Sequence, residues 1–357
     1  MFPYALSKYF GWEATIAYFS PKPIQAPDFE KHVRLIYLGK ESEYKKARSI
    51  GVRWIGEHAQ EYDVLMLFNY GSTSYRLARA AKKVNPAIKV WCKFDMGAGG
   101  FSHWWDDGTL GSKIRRYREA IVSRSVDLFT VECSHYYEAL KNVFPLKGRL
   151  AWLPNGFSLY QIDAAKLENI PKENIVLTVG RLGTNQKNTE LLLASIARLS
   201  QALCREWKFY LVGSVDPAFA AYRETFMASH PELTDCIVWT GETSDRQGLY
   251  ELYARAKIFA LPSRWEGFCL AGQEAISQGC YPVVTHYSAA VYEQVKNEHC
   301  GTIVEEQTAE AFSAALREAM ERESLPHEEI RAYARENFSY PDLARRLDGL
   351  LMDLMKQ

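Results

Sequence analysis

Short apolar runs rich in β-branched and aromatic residues alternate along the chain with stretches whose apolar residues recur every three or four positions. In the second half NIVLTVGRL (174–182), KFYLVGS (208–214), CIVWTGE (236–242), KIFALPS (257–263) and YPVVT (281–285) read as strands. Between them, TELLLASIARLSQAL (189–203), SDRQGLYELYARA (244–256) and a stretch at about 270–278, with Gly279 past its end, read as helices. The first half has the same texture. ATIAYF (14–19), HVRLIYLG (32–39), YDVLMLFN (62–69), IKVWCKFD (88–95), DLFTVEC (127–133) and RLAWLPNG (149–156) read as strands, with helical stretches such as TSYRLARAAKKV (73–84) between them.

Strand–helix alternation of this kind predicts parallel sheets covered on both faces: an α/β protein with two doubly wound, Rossmann-like domains. The stretch QIDAAKLENIPKEN (161–174) reads as a linker, which places the join at about 157–172 and the domains at 1–160 and 161–335. The tail 336–357 reads as a final amphipathic helix. The chain opens on a helical stretch, PYALSKYFG (3–11), where a doubly wound domain usually starts with a strand and a glycine-bearing turn. The expectation is a first domain that has lost its first strand or is trimmed at its start.

Composition removes several classes. Charge is balanced, with 43 Lys and Arg against 43 Asp and Glu, and hydrophobic content is ordinary, so the chain folds as a globular protein. No run of 18 or more apolar residues and no secretory signal are visible. The seven cysteines (92, 133, 204, 236, 269, 280, 300) are scattered and lack C-x-x-C spacing. They fit reduced thiols in a cytoplasmic protein better than a disulfide framework or a zinc site. Residues 1–150 hold 23 Lys and Arg against 15 Asp and Glu, leaving the remainder with the opposite imbalance. A basic half suits an anionic partner: nucleic acid, a phosphorylated substrate or a membrane surface.

Two segments carry candidate chemistry. In VGRLGTNQKN (179–188) Gly180 ends a strand, and Arg181 and Lys187 project from the loop beyond it. A guanidinium and an ammonium there suit a diphosphate, although alone they also read as solvated surface cations. Neither a dinucleotide fingerprint nor a Walker A loop is present. In PSRWEGFCLAGQEAISQGC (262–280) the loop through Glu266, Gly267, Phe268 and Cys269 leads into a helix starting near Leu270. The first-turn amides of such a helix form an anion site that needs no side chain. Glu274 reads equally as a helix-dipole partner or a hydroxyl acceptor, and Glu266 as a solvated loop acid or a second acceptor.

VGRL with its lysine, PNG, LVGS, WTGE with LYELYARA, and PSRWEGF…EA…GCYPVVT with its E-x₇-E pair occur in one order and spacing. Together they resemble the donor domain of GT-B retaining glycosyltransferases of family 4, the glycosyl transferases group 1. The resemblance covers about 150–300 closely and 60–150 in outline. It implies two Rossmann-like domains facing a cleft, with the last helix crossing back to the first domain. It implies a nucleotide-diphosphate sugar as donor and a glycan or lipid-linked acceptor, in cell-surface polysaccharide or glycolipid synthesis. Glu266 would face the donor sugar and Glu274 the ribose hydroxyls, while Gly180, Gly267, Phe268, Cys269 and Leu270 would line sugar and diphosphate. Arg181 and Lys187 would stabilise the leaving nucleotide in place of a metal; no cofactor is expected, and no D-x-D motif occurs.

The sequence departs from the family at Asn188, where a glycine usually follows the lysine, and at Lys93–Phe94–Asp95, which replaces a His-Asp pair. Asp95 reads as an acceptor-side or donor-hydroxyl residue, or as a turn cap. In FSHWWDDGTLGSKIRRYR (101–118), Trp104, Trp105, Lys113, Arg115, Arg116 and Arg118 read as a patch for anionic lipid or as a solvated helix with core tryptophans. The lipid reading puts the protein on the inner membrane face. No nucleic-acid motif accompanies the charge. The rivals are a catalytically silent nucleotide-sugar-binding subunit and, on the same fold, an epimerase or phosphorylase.

Overall fold

A computed structural model describes residues 1–69, 71–94, 108–143, 146 and 148–356. The chain divides into two compact units, Met1–Pro154 with Tyr340–Gln357, and Asn155–Ser339. Parallel strands build both.

In the first unit β1 (Ala14–Phe19) and β2 (Val33–Gly39) form a separate parallel pair. A four-stranded parallel sheet follows in the order β3 (Val64–Phe68), β4 (Lys89–Phe94), β5 (Leu128–Val131), β6 (Leu150–Trp152). The strands read from the first half therefore fall into two sheets among the described residues. The helices of this unit are α1 (Phe2–Phe10), α2 (Pro27–Glu30), α3 (Tyr44–His58), α4 (Ser72–Val84), α5 (Leu110–Val122) and α6 (Ser134–Leu140).

In the second unit six parallel strands lie in the order β12 (Thr302–Val304), β11 (Tyr281–Thr285), β10 (Ala256–Leu261), β7 (Glu173–Val179), β8 (Lys208–Val212), β9 (Ile237–Gly241). The order reverses beside β7 and β10, so the carboxyl ends of these two adjacent strands mark the crevice position of an open α/β sheet. The helices are α7 (Thr189–Ile196), α8 (Gln201–Glu206), α9 (Ala220–Ser229), α10 (Arg246–Arg255), α11 (Leu270–Ser277), α12 (Val291–Gln294), α13 (Ala309–Glu321) and α14 (His327–Phe338). Inward residues of β7, β8, β10 and β11, including Leu177, Leu211, Phe259 and Val283, are fully or almost fully buried in one core. The chain then returns to the first unit as α15 (Tyr340–Met355), whose Leu343, Leu347 and Leu351 pack with Trp91, Phe2 and Leu6.

Two local readings change. The single helix expected over 189–203 is two, because Ser200 adopts an extended backbone and its hydroxyl accepts from Leu203 N, capping α8 afresh. The stretch read as a linker is folded into the second unit, and the division falls at Pro154/Asn155. Its anchor is Lys172, whose Nζ donates to the carbonyls of Tyr253 (3.2 Å), Ala256 (2.7 Å) and Gln278 (2.8 Å). Burial lowers the Lys172 pKa, and three carbonyl acceptors compensate for the water it has lost.

Candidate active site

Gly180 and Gly213 follow β7 and β8 and touch through their backbones. Gly213 sits at φ 137°, and a Cβ there would lie 1.9 Å from the Gly180 carbonyl oxygen. A Cβ on Gly180 itself would stand 3.0 Å from Lys187 Cε, so the lysine stem runs across this glycine. Lys187 closes the loop that leaves β7, and Asn188 after it holds the left-handed conformation at φ 49°, ψ 46°. Asparagine visits that region more readily than most side chains, so Asn188 suits the backbone that it holds.

The second arm is the loop after β10. Lys187 Nζ lies 2.7 Å from Glu266 Oε1, with only 16% and 7% of the two side chains exposed. Ser263 Oγ donates to the same oxygen at 2.6 Å, and Gln186 Nε2 donates to Glu266 Oε2 at 3.2 Å. Gln186 also accepts from Arg181 through Oε1 at 2.9 Å and donates to the Trp265 carbonyl at 3.1 Å. Gly180, Arg181, Lys187 and Glu266 are thus brought into one cluster by two loops that leave adjacent strands. Ser263 and Gln186, which the sequence does not single out, are the residues that complete it. Lys187 spends one of its three N–H donors on Glu266, and Arg181 is exposed with guanidinium donors to spare.

Beyond Glu266 the chain runs through Gly267 and buried Phe268 to Cys269, which caps α11 in the left-handed region at φ 48°. Gly272 N and Gln273 N both bond to the Cys269 carbonyl, leaving the Leu270 and Ala271 amides at the open end of the helix. Gln294 donates to the carbonyls of Phe268 (2.9 Å) and Cys269 (2.7 Å), fixing this turn. Burial pushes the Cys269 thiol up to about 12, so it stays neutral at physiological pH. Leu270 is 55% exposed at the helix start.

Glu274 lies one turn further, in a different set of contacts. Its Oε1 accepts from Arg246 at 3.4 Å and its Oε2 from the Tyr253 hydroxyl at 3.3 Å. Arg246 also donates to the Ser158 carbonyl at 3.2 Å and stacks over the Tyr250 ring. Burial raises the Glu274 pKa, and the Arg246 charge opposes that rise. Neither Arg246 nor Tyr253 was legible as part of a site. A polar residue in the first turn of an amphipathic helix carries no signal of a partner 28 positions away.

Asp95, Trp104 and Trp105 lie outside the described residues, as do the side chains of Arg115, Arg116 and Arg118. Lys113 is exposed. Among the described residues no group of three His, Cys, Asp or Glu side chains is placed to hold a metal ion, and no helix is long and apolar enough to cross a membrane.

Residues 161–337, just under half of the chain, match the family described as "Glycosyl transferases group 1". The glycogen synthase of Deinococcus radiodurans is 32% identical over 145 residues, a match covering 41% of this chain and 30% of that protein. The chain therefore spans less than a third of the curated relative it matches. A glycosyltransferase from Rickettsia africae superposes with a TM-score of 0.75 at 17% identity, over 100% of this chain and 94% of that one. Sucrose-phosphate synthase from Thermosynechococcus elongatus gives 0.70 at 20% identity over 99% and 92%. Anabaena HepE, solved in complex with UDP and glucose, gives 0.70 at 14% identity over 98% and 94%. The second unit thus carries a segment matching the Glycosyl transferases group 1 family, and the chain has the GT-B glycosyltransferase fold.

Proposed function

We propose that the chain is a retaining, metal-independent glycosyltransferase of family 4. It moves a sugar from a nucleotide-diphosphate sugar to a hydroxyl of a glycan or lipid-linked acceptor, as in the synthesis of cell-surface polysaccharide. One observation carries this reading: Lys187 is held 2.7 Å from a largely buried Glu266, beside Gly180 and in contact with the loop that runs into α11. A cation fixed in a partly dried crevice, with donors to spare, is what a leaving diphosphate requires. Arg181 adds a second cation, and the open amides at the start of α11 add the positive end of a helix. Glu274, whose pKa burial raises against the opposing charge of Arg246, is the hydroxyl acceptor for ribose.

The contacts of Glu266 also bear on stereochemistry. Its two oxygens already accept from Lys187, Ser263 and Gln186, which suits a positioning carboxylate more than the free nucleophile of a double displacement. Retention then proceeds by attack of the acceptor on the face the nucleotide leaves, with the diphosphate oxygen taking the acceptor proton. The bound nucleotides named for HepE make uridine diphosphate and its sugars the first probes. The test is a thermal-shift screen across nucleoside diphosphates and their sugars, followed by donor hydrolysis. Stabilisation by one nucleotide series with slow hydrolysis of its sugar is expected. Tight nucleotide binding without turnover of any sugar would instead identify a silent binding subunit.

A further inference from the structure

The second half of the chain carries the acidic excess, and the site built around Arg181 and Lys187 does not account for it. The excess gathers where Glu305, Glu306, Glu310, Glu318, Glu321 and Glu323 stand against Arg317 and Arg322. This stretch follows β12, an outer strand of the six-stranded sheet. Thr302, Ile303 and Val304, which make up β12, are all β-branched, a composition that favours strand pairing. They lie opposite Val283, Val284 and Thr285, and the Val304 carbonyl accepts from His286 N at 3.0 Å. In a parallel ladder alternate residues bond to the same neighbour, so Ile303 turns its N–H and C=O to the outer edge. A groove of about 480 Å³ opens between β12 and α13. Ala311, Ala314, Ala315, Glu318 and Glu321 line it from α13, spaced so that they share one face of the helix. Phe312, Leu316 and Met320 of the same helix are buried in the core.

We infer that the groove between β12 and α13 receives an extended segment of another protein, in which apolar residues alternate with lysine or arginine, as an added strand at the sheet edge. An edge strand beside a helix offers both halves of strand addition: main-chain groups to pair with, and a trough for alternate side chains. The three alanines leave the trough open, so an apolar side chain of the guest fits between helix and strand. Charge decides between the occupants. Arg322 is already engaged, donating to Glu318 at 3.2 Å and lying over the Tyr281 ring at 5.1 Å. Glu306, Glu321 and Glu323 are exposed, so the groove keeps a negative balance against Arg317. A second copy of the chain pairing edge to edge would bring these acids against themselves. A basic strand answers both the main-chain edge and the charge. The inference stands on the second unit alone and does not depend on the donor-site reading.

The test is fluorescence anisotropy of the full chain with the labelled heptapeptide Lys-Val-Arg-Val-Lys-Val-Arg, at low and high salt. Saturable binding that weakens with salt is expected, with no binding of the same peptide carrying glutamate at its basic positions. A version with proline in place of the central valine lacks a main-chain donor and should bind at least about tenfold more weakly. Ala314→Trp fills the groove from an exposed position, so the thermal melt and the nucleotide thermal shift should be those of the parent, while peptide affinity falls at least about tenfold. Glu306→Gln/Glu321→Gln should weaken binding and flatten its salt dependence. Three results would overturn the proposal: a parent that binds the basic and acidic peptides alike or neither, binding unchanged by the proline or by Ala314→Trp, or a parent dimer that Ala314→Trp abolishes.

Discussion

Replacing Lys187 by methionine tests the candidate site and its packing together. The substitution keeps the stem that crosses Gly180 and removes the charge 2.7 Å from Glu266 Oε1. At an effective dielectric of about 20 the bare attraction at that separation is roughly 6 kcal/mol, an upper limit that desolvation of both groups offsets. Removing one partner of a fully buried pair costs about 3–5 kcal/mol. Here Lys187 keeps 16% of its side chain in solvent, and Glu266 retains Ser263 Oγ at 2.6 Å and Gln186 at 3.2 Å. We therefore expect a loss of about 2–3 kcal/mol, which for a unit of this size lowers Tm by roughly 5–10 °C.

Adding Glu266→Gln removes the stranded carboxylate and leaves a neutral group that Ser263 and Gln186 can still meet. The double variant should return to within about 1 kcal/mol of the parent. Nucleoside diphosphate affinity should behave differently: it falls with Lys187→Met and stays low in the double variant, because the cation is absent from both. Denaturant melts and calorimetric titration with uridine, adenosine and guanosine diphosphates separate the two readouts. A double variant as unstable as Lys187→Met would refute the stranded-charge argument. A Lys187→Met protein that binds its nucleoside diphosphate as tightly as the parent would remove the lysine from the diphosphate site.

The two strand-end glycines should respond oppositely. Gly213→Ala drives a methyl into the Gly180 carbonyl at a positive φ and should cost at least about 3 kcal/mol in a thermal melt; Gly180→Ala meets only the far end of the Lys187 side chain, so the protein should fold with weakened nucleotide binding. Arg246→Met removes the cation that opposes the burial of Glu274, which Tyr253, Tyr250 and Cys269 otherwise face. A carboxyl with a raised folded pKa binds more protons folded than unfolded, so its contribution to stability falls as pH rises above the usual carboxylate range; the variant should be closest to the parent in acid and fall further below it as pH rises, which pH-dependent melts would show. Burial lowers His327 from its usual 6.5 to about 4, its Nδ1 donating to the Gly279 carbonyl at 2.7 Å. The unfolded chain therefore takes the proton first, and stability should fall by on the order of 1–2 kcal/mol as pH drops through that window, a loss that His327→Asn flattens in pH-dependent melts. Chelator added to the active enzyme should leave turnover unchanged, and a loss restored by a divalent ion would contradict the assignment of Arg181 and Lys187.

What the chain discloses by itself is set by range. Strands β7, β8, β10 and β11 and the start of α11 are legible because apolar runs, turn residues and first-turn composition lie within about ten residues of one another. The pairing at the centre of the site is not, since Lys187 and Glu266 are 79 positions apart and meet only because β7 and β10 are neighbours in the sheet. Ser263 and Gln186 are invisible for the same reason: each is an ordinary loop residue until the two loops are side by side. Asn188 is a different case: its left-handed backbone, at φ 49°, is one that asparagine adopts more readily than most residues, yet the sequence gives no sign of it. Where a local rule is broken rather than unseen, the break itself is informative. Ser200 breaks a helical period with its own cap, and the consequence stays local. On α5 the apolar period is intact but faces outward, and the same helix carries the densest run of cations in the first unit.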